Sequence, residues 1–509
     1  MTHATPAFPL DHLALKGRDN AAALIIKDRS YSYQELNSRV GRLAAMLRAA
    51  KLQSGDRVAS WTGKGEIACI MPLAAARADL IHVPINPQLK PAQVSYIMED
   101  SGAKVLITNK ARAAQMAGNK QSGSVVLWEE QETVANIDAA PDQLPPLDDG
   151  FDTDRLAAIL YTSGSTGRPK GVMLSHANLS LGAISVAQYL KLSADDVTLA
   201  VLPLSFDYGQ NQLLSSWAAG ACAVPLDYLM PRDVIKSCAK HAVTTLAAVP
   251  PLWVQLTEQD WPAAATDAMR RLTNSGGALT PSLVKSLRGI FGTNTDIYAM
   301  YGLTEAFRST YLDPALIDSK PTSMGTAIPH AEIMVVRADG QRADTQEEGE
   351  LVHAGPLVAQ GYWQDTKRTA ERFKPAPDFS DYGGNAVYSG DTVRRAEDGL
   401  LYFVGRDDAM IKTSGNRVSP TEVEEVAVES GLAAEACVLG RKDDRLGEAI
   451  VLFVRGEADA DAADAQAELP KYLKTALPSF MQPAQIIWLT EFPRNANGKL
   501  DRNGLKDRL

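Results

Sequence analysis

A short apolar run, Leu156-Ala157-Ala158-Ile159-Leu160, leads directly into Tyr161-Thr162-Ser163-Gly164-Ser165-Thr166-Gly167-Arg168-Pro169-Lys170-Gly171 and then into Val172-Met173-Leu174-Ser175-His176. The apolar run reads as a buried strand, so the Gly/Ser/Thr stretch is a loop fixed at a strand's end. Such a loop suits polyphosphate. Gly164, Gly167 and Gly171 let the backbone approach closely and take positive φ, and successive N–H groups in such a turn form an anion-binding nest. Thr162, Ser163, Ser165 and Thr166 add hydroxyl donors, and Lys170 adds a point charge. The alternative is a flexible surface linker, but a linker rarely follows a buried strand and ends on a lysine. The stretch is not a Walker A loop, because Gly167 is followed by Arg168 and Lys170 by Gly171.

A chain of 509 residues exceeds one ordinary core, so two or more domains are expected. A net charge of −10 argues against a general nucleic-acid binder, which needs a basic footprint. Cys69, Cys222, Cys238 and Cys437 lack CxxC spacing, which fits a reducing, cytoplasmic setting and gives no disulfide or metal framework. The stretch Met1 to Leu10 has no signal-peptide pattern. The apolar stretch Ile67 to Ile85 is broken by Arg77, Asp79 and His82, so no membrane span is expected.

Strands and helices alternate from the start. Leu36, Val40, Leu43 and Leu47 recur at helical spacing, and Val58–Trp61 reads as the next strand. A helix at Glu66–Ala78, a strand at Ile81–Ile85, a helix at Pro91–Asp100 and a strand at Val105–Thr108 follow. This order predicts a parallel α/β sheet. Pro141 to Asp154, rich in Pro and Asp, is an exposed connector.

Two further stretches join the loop. One is Tyr298-Ala299-Met300-Tyr301-Gly302-Leu303-Thr304-Glu305, and the other is Asn495-Ala496-Asn497-Gly498-Lys499 near the end, where Asn-Gly makes a tight turn that presents Lys499. With the loop Thr162 to Gly171, they resemble the motifs of the AMP-forming adenylating enzymes: acyl-CoA synthetases, amino-acid adenylation domains and luciferases. The resemblance spans roughly residues 10 to 505 and implies a large N-terminal α/β domain, 1–404, with mainly parallel sheets layered with helices and a small β-barrel-like part. A hinge at 405–408 and a small mobile α+β domain at 409–509 would follow.

Residue by residue, the resemblance implies an ATP site. Thr162 to Gly167 and Lys170 would hold phosphate, Gly276-Gly277-Ala278 would pack on adenine, and Tyr301 would stack near it. Thr304 would reach phosphate and Glu305 would hold Mg²⁺, which takes one or two carboxylates beside substrate phosphates. Asp391 would accept the ribose hydroxyls, with Arg406 nearby and Arg417 assigned to the same nucleotide. Asp408 would be the pivot, Gly415 would line the path of a thiol, and Lys499 would enter only for adenylation. Gly349-Glu350-Leu351-Val352 and Gly361-Tyr362-Trp363 are similar to structural landmarks of the family.

The acid pocket falls on Phe206, Asp207, Tyr208, Asn211, Ala248, Ser275, Met300, Arg308 and Ser309. An acid among apolar residues needs a partner, a cap role or a proton. Asp207 therefore either caps the helix Tyr208 to Ala218 or, as in amino-acid adenylation domains, binds a substrate α-ammonium. Arg308 is left three options: it clamps a carboxylate, pairs with Asp207, which would remove Asp207 as an ammonium reader, or lies on the surface.

The function implied is an acid–thiol ligase. A carboxylate attacks MgATP to give acyl-AMP and pyrophosphate, and a thiol, CoA or carrier-protein phosphopantetheine, then takes the acyl group. No carrier domain fits after Leu509, so a carrier would be a separate chain. A stand-alone amino-acid ligase is the close rival. A non-catalytic nucleotide binder is the reading from another class, and the presence of Lys170, Glu305 and Lys499 speaks against it.

Overall fold

The computed structural model describes residues 7–116, 125–162, 169–406, 410–456, 462–493 and 502–509, with the backbone alone at 406, 462, 463 and 503. The loop residues 163–168, Asp408 and Lys499 therefore lie outside the described residues.

Among the described residues three sheets organise the chain. A six-stranded sheet runs in the order Val126–Glu129, Val105–Thr108, Arg57–Trp61, Ile81–Pro84, Leu156–Thr162, Lys170–Ser175. It is parallel up to Leu156–Thr162, which then pairs antiparallel with Lys170–Ser175. A longer sheet has a parallel centre of Val197–Ala200, Thr245–Ala248, Arg271–Asn274 and Asp296–Tyr301. Beyond Asp296–Tyr301 it turns antiparallel through Thr310–Tyr311 and Ser323–Ala327 to Leu401–Arg406, Asn385–Arg395, Glu348–Ala354 and Glu332–Val336. These last four strands take the place of the expected small β part and are hydrogen-bonded onto the central sheet. A third sheet, from residue 411 on, joins Asn416–Val418, Ile411–Thr413, Gly447–Gly456, Ala433–Asp443 and Gln485–Trp488.

The helices form because their apolar spacing matches the helical period. Tyr33–Ala49 starts at a Ser32/Glu35 capping box and turns Leu36, Val40, Leu43 and Leu47 inward, each at most 1% exposed. Full burial stabilises by about 1.5–3 kcal/mol per such side chain. With Glu66–Arg77, His176–Tyr189 and Asp207–Ala218, this helix packs the main core between the first two sheets.

The hairpin changes the meaning of the loop motif. Lys170 is the first residue of a strand, opposite Thr162, so the ladder and not the loop sets where its side chain goes. Gly171 is absent from the positive-φ residues. Its missing side chain is required by packing: a Cβ there would lie 2.5 Å from Ile159 and 3.3 Å from Trp363. The segment Gln360–Trp363 lies alongside through Gln360 N–H to Met173 O, Met173 N–H to Gly361 O and Trp363 N–H to Gly171 O. The expectation that Gly171 takes positive φ is thereby corrected.

Candidate active site

The site is assembled where the two large sheets meet. Lys170 Nζ donates to Glu305 Oε1 at 2.8 Å and to the Tyr362 hydroxyl at 2.7 Å, and that hydroxyl donates to the same Glu305 oxygen at 2.7 Å. All are buried or nearly so, with the Lys170 and Glu305 side chains 12% and 6% exposed. Burial pushes the Lys170 amine down, and the Glu305 carboxylate offsets part of that push. For Glu305, burial acts to raise the carboxyl, but the Lys170 and Arg417 cations prevail and hold it well below the usual carboxylate range. Arg417 therefore belongs to the same electrostatic site.

Glu305 reaches this point by local strain. The strand Asp296–Tyr301 ends in a 3-10 turn, Thr304–Ala306, followed by Phe307 at φ +64°. Positive φ in a bulky residue is costly and persists only when packing fixes it. Phe307, 1% exposed, is so fixed, and the reversal lets both Glu305 and Arg308 face the interior.

At the end of the same strand, the Tyr301 hydroxyl donates to Asp391, a carboxylate 2% exposed. Asp391 pairs across the strands with Arg406. The turn Ser275–Ala278 follows the strand Arg271–Asn274 and is braced by Asn274 Nδ2 donating to Gly277 O at 2.8 Å. Gly415 lies on this turn. A Cβ on Gly276 would be 3.8 Å from Gly415 O, and one on Gly415 would be 2.8 Å from Val249.

Next to this, Asp207 Oδ1 accepts from Thr304 Oγ1 at 3.2 Å and its Oδ2 lies 3.4 Å from Arg308 Nη1. Arg308 is 3% exposed, lies with Cζ 4.6 Å above the Tyr208 ring, and donates to Ser275 Oγ at 3.3 Å. Burial raises the Asp207 carboxyl, and the Arg308 cation offsets part of this. The surface option for Arg308 is thus excluded. Asp207 is the first helical residue and not the N-cap, which is Phe206 without a side-chain cap bond, and its carboxylate meets the backbone N–H of Tyr208 at the helix start.

Of the expected pocket residues, Tyr208, Asn211, Met300 and Arg308 line one cavity, and Asp207, Ala248 and Ser275 are not among its lining residues. The Tyr208 hydroxyl reaches Ala248 O and Thr273 Oγ1, and Met300 Sδ accepts from Tyr189. Two expected residues point elsewhere. Ser309 Oγ is bonded to His353 Nδ1 at 3.0 Å. Phe206 lines a second cavity of about 500 Å³, together with Thr162, Tyr161, Arg417 and Glu422.

Sequence reasoning missed Tyr362 and Glu422. Tyr362 stands in Gly361-Tyr362-Trp363, which reads as a structural landmark, and only the pairing beside Lys170–Ser175 shows where its hydroxyl goes. Glu422 adjoins the apolar stripe of the helix Pro420–Glu429, an acid beside Val423 and Ala427, which is a readable anomaly. Its Oε1 accepts from Gln93 Nε2 at 3.0 Å, and burial pushes it up to about 7.

The family model described as "AMP-binding enzyme" matches residues 11–363, and "AMP-binding enzyme C-terminal domain" matches 422–499. The chain belongs to the AMP-binding enzyme family. It is 30% identical to L-proline--[L-prolyl-carrier protein] ligase of Pseudomonas fluorescens, over 95% of each chain. It is also 29% identical to tyrocidine synthase 3 of Brevibacillus parabrevis, covering 95% of this chain but spanning only 7% of that protein's length. Among solved structures, a double mutant of the o-succinylbenzoate CoA synthetase MenE of Bacillus subtilis, bound to a product analogue, superposes with a TM-score of 0.85 at 26% identity, over 99% of this chain and 98% of that one. The same enzyme with its acyl-adenylate intermediate gives 0.70 at 26% identity, over 98% of each. No helix among the described residues is long and apolar enough to cross a membrane.

Proposed function

We propose that this member of the AMP-binding enzyme family is an AMP-forming acid–thiol ligase. The observation that carries the reading is the continuity of Thr304 and Glu305. Glu305 joins the Lys170–Tyr362 cluster next to the phosphate loop, and Thr304 donates to Asp207, which faces the cavity-lining Arg308. A nucleotide's phosphates and an acid bound at these places meet at one point.

In the first step a carboxylate oxygen of the acid attacks the α-phosphorus of ATP, and the bond to pyrophosphate breaks. Positioning and charge stabilisation dominate such chemistry. Lys170 places a cation at the phosphates, and the residues 163–167 are assigned the same task from the sequence. Asp391 and Arg406 are assigned the ribose, and Gly276-Gly277-Ala278 the adenine. Among the described residues no group of His, Cys, Asp and Glu forms a metal cage. One buried carboxylate, Glu305, beside phosphate oxygens is the donor set that Mg²⁺ accepts. Mg²⁺ held there would neutralise phosphate charge.

In the second step a thiol sulfur attacks the acyl carbon, AMP leaves, and the thiol proton goes to solvent. We assign the division 1–404, 405–408 and 409–509, the pivot Asp408, the adenylating Lys499 and the thiol path past Gly415 to this cycle. Two observations support the reading that the described arrangement serves the second step. Gly415 and Arg417 lie at the site, and the superposition is better with the product-analogue form of MenE than with its acyl-adenylate form. The acceptor is CoA or the phosphopantetheine of a carrier protein. The likeness to a carrier-protein ligase over nearly its whole length keeps the amino-acid reading beside the acyl-CoA one.

The test is acid-dependent exchange of pyrophosphate into ATP, followed by thioester formation with CoA or a carrier protein. Exchange that requires an acid and falls in Lys170→Met supports the reading. Failure of exchange with every acid supplied, despite nucleotide binding, would favour the non-catalytic alternative.

A further inference from the structure

An opposed pair of charges stands at the acid cavity, Arg308 in its lining and Asp207 behind it, and their arrangement restricts what can enter. Asp207 is on the side of the reacting centre, tied through Oδ1 to Thr304, next to Glu305. Arg308 is on the cavity side, over the Tyr208 ring and among the lining residues. The two groups face each other at 3.4 Å, longer than a well-formed charge-assisted hydrogen bond. Arg308 Nε is buried and, among the described residues, has no partner.

Much of the rest of the lining is apolar, from Val186, Leu190, Leu192, Ala247 and Met300, but a few polar groups stand among it. Thr198 Oγ1, Asn211 Oδ1 and Gln212 Oε1 are buried without a partner among the described residues, and all three residues line the cavity. Buried polar groups without partners are rare in folded proteins, and such a set at one cavity points to a ligand that completes them. An alkyl chain would leave them unsatisfied.

The charges separate the possible acids. A neutral-chain amino acid would put its ammonium on Asp207 and leave Arg308 a buried, unpaired cation. A plain dicarboxylic acid would occupy Arg308 and leave Asp207 unpaired. Leaving one member of a buried pair alone is strongly unfavourable. A simple monocarboxylic acid would leave the pair intact and the three unpartnered polar atoms unmet. A molecule with both an ammonium and a second anion replaces one long ion pair by two shorter ones and strands neither charge.

We infer that the acid taken by this site is an amino acid carrying a second carboxylate, with Asp207 receiving the ammonium beside the reacting carboxylate and Arg308 receiving the second carboxylate deeper in the cavity. This inference rests on the adenylation reading above. Arg308 acts as the specificity-determining residue and touches no reacting atom.

The experiment is pyrophosphate exchange by the full, unmodified chain with aspartate and glutamate, their amides asparagine and glutamine, succinate and glutarate, and hexanoate. The expected result is a kcat/KM for an acidic amino acid about tenfold or more above both its amide and its unaminated analogue. Arg308→Gln should then raise KM for the acidic amino acid about tenfold and narrow or invert its preference over the amide, with kcat changed far less. Best exchange with a neutral amino acid, a dicarboxylic acid or hexanoate overturns this inference and leaves the ligase reading standing. Exchange with no acid overturns both. Should Arg308→Gln fail to fold, the panel on the unmodified chain still decides.

Discussion

Replacing Glu422 by Gln should stabilise the packing of the C-terminal sheet's helix Pro420–Glu429 on the rest of the molecule, and only at high pH. The carboxyl is 8% exposed, accepts one bond from Gln93, and has its other oxygen buried without a partner among the described residues. Burial, with a small contribution from Glu425, lifts it from the ordinary 4.5 to about 7. At about 1.36 kcal/mol per unit this corresponds to a penalty of about 3 kcal/mol for holding the charged form where it is. The sign follows from proton uptake. Between pH 4.5 and 7 the packed state binds a proton that the solvated carboxyl has released, so stability falls as pH rises through this window, and the penalty is complete above 7. The assay is calorimetric melting of both proteins from pH 5 to pH 8.5. The Gln variant should melt close to the parent near pH 5 and gain by up to about 3 kcal/mol near pH 8.5. Parallel curves, or a variant that loses most at high pH, would contradict this account, because they would mean that the carboxylate is solvated or paired.

Lys170→Met removes the hydrogen-bonded cation of a buried pair and leaves Glu305 only the Arg417 charge; unfolding measurements should show a loss at or below about 3 kcal/mol, the low end for a broken buried pair, together with a fall in pyrophosphate exchange. Gly415 has φ +76° and no room beside Val249, so Gly415→Val should slow thioester formation from supplied acyl-AMP while exchange persists; equal loss of both steps would argue against a role confined to the thiol path. Lys499→Ala should give the reverse pattern, with exchange strongly reduced and thioester formation from acyl-AMP spared.

Much of the site is legible in the sequence because its chemistry sits in contiguous stretches. The strand Leu156–Thr162, the loop after it and Tyr301 to Glu305 are each one local unit, and residue type plus neighbours suffice to suggest phosphate, Mg²⁺ and nucleotide. Helices such as Tyr33–Ala49 are legible for the same reason, since apolar period and capping are local properties. Contacts between residues far apart in the chain are not. Arg308 has three options on sequence grounds, and only the reversal at Phe307 and the packing of Tyr208 select the inward one, 3.4 Å from Asp207. Gly171 reads as a phosphate glycine, but Ile159 and Trp363 are what exclude a side chain there. Tyr362, nearly two hundred residues after Lys170, enters the site through a strand-edge pairing that no local pattern announces. Local pattern is thus enough for the family, the α/β class and the identity of the charged residues. How those charges pair is a property of the tertiary fold, because burial and ion pairing depend on distances that only the assembled sheets fix.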